Sequence, residues 1–130
     1  MSKSQILSLM LEPGQPPRPI YLQASITAFN KAVSIGAVHI GQAKAERLNH
    51  NIYIIYNRYS YLEGLDGNRR INGKILSGVL YITATDDSKA PRSLSASELQ
   101  KYSYMFATPD TFTEDEIINH HVDTILASIQ

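Results

Sequence analysis

Residues 51–57 read NIYIIYN, with Ile52, Ile54 and Tyr56 on one side of an extended chain and Tyr53 and Ile55 on the other. Both sides are apolar, and the residues are β-branched or aromatic, so this stretch is expected to be a central strand covered on both faces. Lys74 to Thr83 reads as another strand, in which Gly78 marks a bulge or a close approach of backbone. The segment between them, Glu63 to Gly73, contains Gly64, Asp66, Gly67, Asn68, Asn72 and Gly73 and reads as a loop with several positions suited to positive φ.

Toward the N-terminus, Leu7, Leu9 and Leu11 alternate with Ile6, Ser8 and Met10, the period of a half-buried strand over Ile6 to Glu12. Pro13, Gly14, Pro16, Pro17 and Pro19 then force a rigid turn, because proline lacks the donor that a sheet interior needs. The chain resumes extended at Ile20 to Leu22, which makes a wide hairpin. Ser25 can cap a helix of about ten residues, with Ile26, Phe29, Ala32 and Val33 on its apolar side and Gly36 as its left-handed stop. A short strand is expected from Ala37 to Gly41, while Ala43 to Asn49 is too polar and too short to assign.

Toward the C-terminus, Ala84 to Ser93 reads as a polar surface connection. Ser95 and Glu98 form a capping box that opens a helix running to about Phe106, and Pro109 ends it. Thr113 and Glu116 form a second box, with Glu114 and Asp115 in the first turn, where the helix dipole favours anions. Ile117, Ile118, Val122, Ile125, Leu126 and Ile129 then recur at helical spacing. The order predicts a single α+β domain over residues 1–130, mainly an antiparallel sheet with one inserted helix and two C-terminal helices packed on one side.

Composition removes several function classes. Of 130 residues, 43% are hydrophobic and 18% charged, as in ordinary folded proteins. The absence of cysteine excludes disulfides, thiolate metal sites and a cysteine nucleophile. Twelve basic and twelve acidic residues balance, so duplex nucleic acid is not an expected partner. The charge is uneven in place: no lysine or arginine follows Lys101, whereas Asp110, Glu114, Asp115, Glu116 and Asp123 fall in that tail. The opening MSKSQILSLMLEPG has an apolar run too short for a signal or a membrane span, so a cytoplasmic protein without membrane contact is expected.

His39, His50, His120 and His121 have no metal spacing, since adjacent helical residues point about 100° apart. Neither a metal nor another cofactor is expected. No Gly-x-Ser-x-Gly elbow and no phosphate-binding glycine loop with its lysine occurs, and no catalytic residue can be assigned. An enzyme would need a pocket joining His39, His50 or His121 to a carboxylate.

The binding candidates are Tyr56, Arg58, Tyr59, Tyr61, Arg69, Arg70 and Lys74, in a run where Tyr53 adds a further ring. Tyrosine faces stack on bases and guanidinium groups pair with phosphates; the same residues dominate protein contact surfaces; and tyrosine is also a common strand former. The acidic start of the last helix can mimic a phosphate backbone, though acidic residues belong at a helix start in any case.

The segments LEPGQPPRPIYL (11–22), AFNKAV (28–33) and NIYIIYNRYSYLEGLDGNRRINGKILSGVLYI (51–82) together resemble a small family, the domain of unknown function numbered 3846, found in phages and conjugative elements of Gram-positive bacteria. Glu12, Pro13, Gly14, Pro16 and Pro17 match its first motif, with Gln15 in place of a lysine; Gly64, Leu65, Asn68 and Arg69 match its loop, and Gly78 its last strand. SLSASELQKYSYMF (93–106) is similar to its late helix. Asn57 is kept, but Arg58, Tyr59 and Ser60 stand where the family has two glutamates and a glycine.

The matched residues are mostly turn formers, so the resemblance implies a shared fold more than a shared chemistry. Its context implies a non-catalytic accessory protein that binds and inhibits a host defence component of the anti-CRISPR or anti-restriction type, a host protein being the partner. The alternative it leaves open is a module that sequesters a nucleotide signal, with tyrosines on the base and Arg69 or Arg70 on phosphate. A homodimer paired through a sheet edge is a further expectation.

Overall fold

The computed structural model describes residues 5–60 and 64–129. Its main sheet is antiparallel throughout, in the order β2 (Arg18–Gln23), β1 (Gln5–Leu11), β7 (Leu80–Thr85), β4 (Ile52–Asn57), β3 (Ala43–Asn49), with β8 (Pro91–Arg92) pairing the end of β7. A separate hairpin is made by β5 (Gly67–Ile71) and β6 (Lys74–Ser77). Three helices complete the chain: α1 (Ile26–Ala32), inserted between strands, and α2 (Ala96–Met105) and α3 (Glu114–Ile129) at the end. The class is α+β, as the alternation patterns predict.

The period of two sorts the core into two layers. Leu9 pairs with Ile82 and Ile82 with Ile54, so Leu9, Leu11, Ile52, Ile54, Tyr56, Leu80 and Ile82 share one face. That face packs on Ile71 and Leu76 of the hairpin and on Leu99, Tyr102 and Phe106 of α2 and its end. The opposite face, with Ile6, Met10, Ile55 and Tyr81, packs on Phe29, Ala32 and Val33 of α1 and its end. Tyr81 is fully buried there because its hydroxyl donates to Ala32 O at 2.9 Å, and burial pushes its pKa up to about 12.

Several expectations are corrected. The polar stretch Ala43–Asn49 is a strand: at a sheet edge only one side needs a partner, and its mostly exposed residues need no apolar pattern. Residues 37–41 form no strand, and Ser34 takes the donors at both ends of the segment, its carbonyl accepting from Ala37 N and its hydroxyl from Gly41 N. The expected loop contains β5, whose buried residues include Asn68 and Arg69, and a register shift between Gly67 and Arg69 hides its period. Lys74 to Thr83 is two strands in different sheets, broken at Gly78, which has φ +77°. The surface connection ends in β8. Helix α1 is seven residues long, capped by Ser25, and Ile26 is 79% exposed instead of packed.

The predicted capping box on α2 is present and extended by a cation. Glu98 Oε1 accepts from Ser95 N at 2.8 Å, and Arg92 of β8 holds both carboxylate oxygens at 2.8 and 2.9 Å. The bidentate Arg92 bond, followed by the Ser95 bonds, brings the Glu98 pKa from its ordinary 4.5 to about 2. A depressed carboxylate stabilises the fold above pH 4.5 and loses that contribution as pH falls toward 2. Glu98→Gln is therefore expected to cost about 1 kcal/mol at pH 7, the partial exposure of the pair limiting the effect. Urea titrations of both proteins across pH should show the gap shrinking below pH 4.5 and closing near pH 2.

Candidate functional site

The binding candidates do not form one patch. Tyr59 is half-exposed beside the exposed Arg58, and both reach Gln42 Oε1, at 3.5 and 3.4 Å. Arg70 lies on a different flank, stacked at 4.5 Å on the Phe112 ring and ion-paired with Glu116. Tyr61 lies outside the described residues. Tyr56 is buried in the sheet, and burial raises its pKa.

Arg69 is 1% exposed and faces inward. Its Nη2 donates to Gln15 O at 2.8 Å and Phe106 O at 3.0 Å, and its Nη1 to Asn68 Oδ1 at 2.8 Å. Burial pulls its pKa below the ordinary arginine value, with Asp110 opposing the shift. Asn68 in turn donates to Leu11 O at 2.8 Å and Gly78 O at 2.6 Å, and Leu65 packs against Gly78. Leu65, Asn68, Arg69 and Gly78 thus meet at one buried junction, which also ties down the turn after β1. Their work there is structural.

Tyr56, Arg58 and Lys74, by contrast, do come together. They line a cleft of about 340 Å³ between β4, β6 and α3, with Lys44, Ser77, His120 and His121 completing its polar wall. Lys44 stands opposite Tyr56 in the β3–β4 register. Lys74 Nζ is 3.2 Å from Glu46 Oε2, and the Asn72 amide, followed by Lys74, holds the Glu46 carboxyl below its ordinary pKa. Ile75, Leu76 and Ala127 supply the apolar wall. Ser77, 2% exposed, has no hydrogen-bond partner for its hydroxyl, and the buried His121 Nε2 has none either. Burial, followed by the neighbouring His120, lowers the His121 pKa.

Sequence reasoning missed Lys44, Ser77 and His120 as site residues, and named His121 only as a histidine that an enzyme pocket would need. The available signal was Lys44 and Glu46 alternating on one face of a strand, which becomes visible only once residues 43–49 are read as a strand.

His50 Nε2 lies 3.7 Å from Asp87 Oδ1 in the open, 75% and 91% exposed respectively, so the histidine–carboxylate pocket that an enzyme would need is not formed there. Among the described residues, no group of three His, Cys, Asp or Glu side chains could hold a metal ion, and no helix is long and apolar enough to cross a membrane.

Helix α3 turns its apolar stripe outward. Ile118, Val122, Ile125, Leu126 and Ile129, which recur at helical spacing, are 42–73% exposed. Ile117 is placed inward, close against Gly67 beside Phe112. The inner face of α3 is occupied by His120, His121 and Thr124 along the cleft, so most of its aliphatic side chains are left to face solvent. The chain matches no family model, no curated protein and no solved structure.

Proposed function

We propose that this chain is a non-catalytic binding protein of a phage or mobile element, which occupies a host defence protein through the outer face of α3. The observation that carries the reading is the row of aliphatic side chains at positions 118, 122, 125, 126 and 129, spaced to fall on one helix face and turned to solvent. Burying each would contribute about 1 kcal/mol. Glu114, Asp115 and Asp123 stand on the same helix, Glu116 being paired with Arg70, and no lysine or arginine follows Lys101, so the complementary surface is an apolar groove edged by lysine and arginine. Proteins that handle nucleic acid carry clustered lysine and arginine, as restriction and CRISPR components must, and these can edge such a groove. The resemblance to a family of mobile elements supports the same partner class.

The test compares the wild type with Val122→Glu/Leu126→Glu. Both positions are exposed, so the double variant is expected to keep its melting temperature within about 3 °C. Wild-type protein should retain a stoichiometric partner with a basic groove from a Gram-positive lysate, and the variant should lose it. Retention of the same partner by the variant would remove α3 as the recognition element. A wild-type dimer in light scattering that becomes monomeric in the variant would make the occupant a second copy and end the host-protein reading.

A further inference from the structure

The cleft between β4, β6 and α3 has a chemistry that the docking reading leaves unused. Lys44, Arg58 and Lys74 converge on it from three strands or strand ends, and Glu46 is the one carboxylate seen to pair with any of them among the described residues. Lys74 gives one of its three donors to Glu46, and Arg58 gives one of its five to Gln42 at 3.4 Å, so most of their donors are unspent. Thr124 is turned back on its own helix, its hydroxyl donating to His120 O at 2.8 Å. Ser77 is not: its hydroxyl is buried at the cleft with no partner, and so is His121 Nε2. A buried polar atom without a partner costs about 1–3 kcal/mol, so two of them at one cleft call for a group that answers both.

We infer that this cleft binds a phosphate monoester of no more than mononucleotide size, with Lys44, Arg58 and Lys74 around the phosphate and Ser77 Oγ and His121 Nε2 bonded to the ligand. A phosphate monoester carries about −1.5 to −2 charges and three strong acceptor oxygens, which matches three cations against one carboxylate better than a single carboxylate ligand does. The cleft volume of about 340 Å³ sits at the small end of ligand sites. Ile75, Leu76 and Ala127 form an apolar wall for the body of the ester.

The experiment is a titration of the full chain with AMP and, separately, with inorganic phosphate, followed by calorimetry and by amide and imidazole NMR shifts. AMP is expected to saturate and to move Ser77 and the His121 ring; inorganic phosphate should compete for the same shifts, which separates recognition of the phosphate alone from recognition of the whole ester. Lys44→Ala/Arg58→Ala is expected to weaken AMP by at least about tenfold, and Ser77→Ala by a few-fold. Arg18→Ala, which removes a surface arginine paired with Glu12 elsewhere, should leave affinity unchanged.

No saturation by either probe up to about 10 mM would overturn the inference, as would equal losses in the cleft and Arg18 variants. Val122→Glu/Leu126→Glu should bind AMP like the wild type, so failure here and failure of the docking reading are separable.

Discussion

Arg69→Ala is expected to lower the melting temperature by about 10–20 °C, the consequence of about 3–5 kcal/mol lost from one junction. The guanidinium crosses three parts of the chain: it satisfies Gln15 O in the turn after β1, Phe106 O at the end of α2, and the Asn68 side chain on β5. Truncation leaves these acceptors buried without donors and opens a cavity where the largest of the fully buried side chains stood. Arg69→Lys should recover little, because one ammonium cannot reproduce a planar fork that reaches in two directions. Calorimetric melting of both variants measures this. A drop of under about 3 °C for the alanine variant would mean that the junction does not hold the hairpin to the sheet.

Gly78→Val is expected to cost about 3 kcal/mol. Its φ of +77° is a region that β-branched residues avoid, and a Cβ there would sit 2.8 Å from Leu65 Cδ1. The backbone cannot relax out of the strain cheaply, since Gly78 N donates to Asp66 O at 2.8 Å and Gly78 O accepts from Asn68. Gly73 supplies the control. Its φ is +78° and nothing lies within 4 Å of the place a methyl would occupy, so Gly73→Ala carries the backbone strain alone. The excess urea sensitivity of Gly78→Ala over Gly73→Ala isolates the Leu65 contact. Equal midpoints for the two would show that the close approach at Gly78 is not constraining.

Local chemistry made much of this fold legible. The alternation in residues 6–11 and 52–56 gave β1 and β4, and the Ser95–Glu98 pair gave the start of α2, because each is decided by neighbours in sequence. What stayed hidden depends on partners far along the chain. β3 is polar because an edge tolerates it, and β5 looks like a loop because two of its three buried residues are Asn68 and Arg69, which answer carbonyls of other segments.

The site divides in the same way. Tyr56, Arg58 and Lys74 could be named from charge and aromatic density, and they line one cleft. Lys44, Ser77, His120 and His121 reach it only through the β3–β4 pairing and the seating of α3 on β6, and no local pattern announces either. Arg69 was indistinguishable in sequence from a surface cation. Apolar spacing in α3 likewise predicted the helix and left the direction of its apolar side open, since periodicity fixes which residues share a side and not which way that side points.

The place of β7 between β1 and β4 carries a consequence for synthesis. Leu9 meets its neighbour Ile82 only after most of the polypeptide has been made, so the first hairpin leaves the ribosome with its leucine-rich side uncovered. Such late closure slows folding and exposes the nascent chain to association with its neighbours on a polysome.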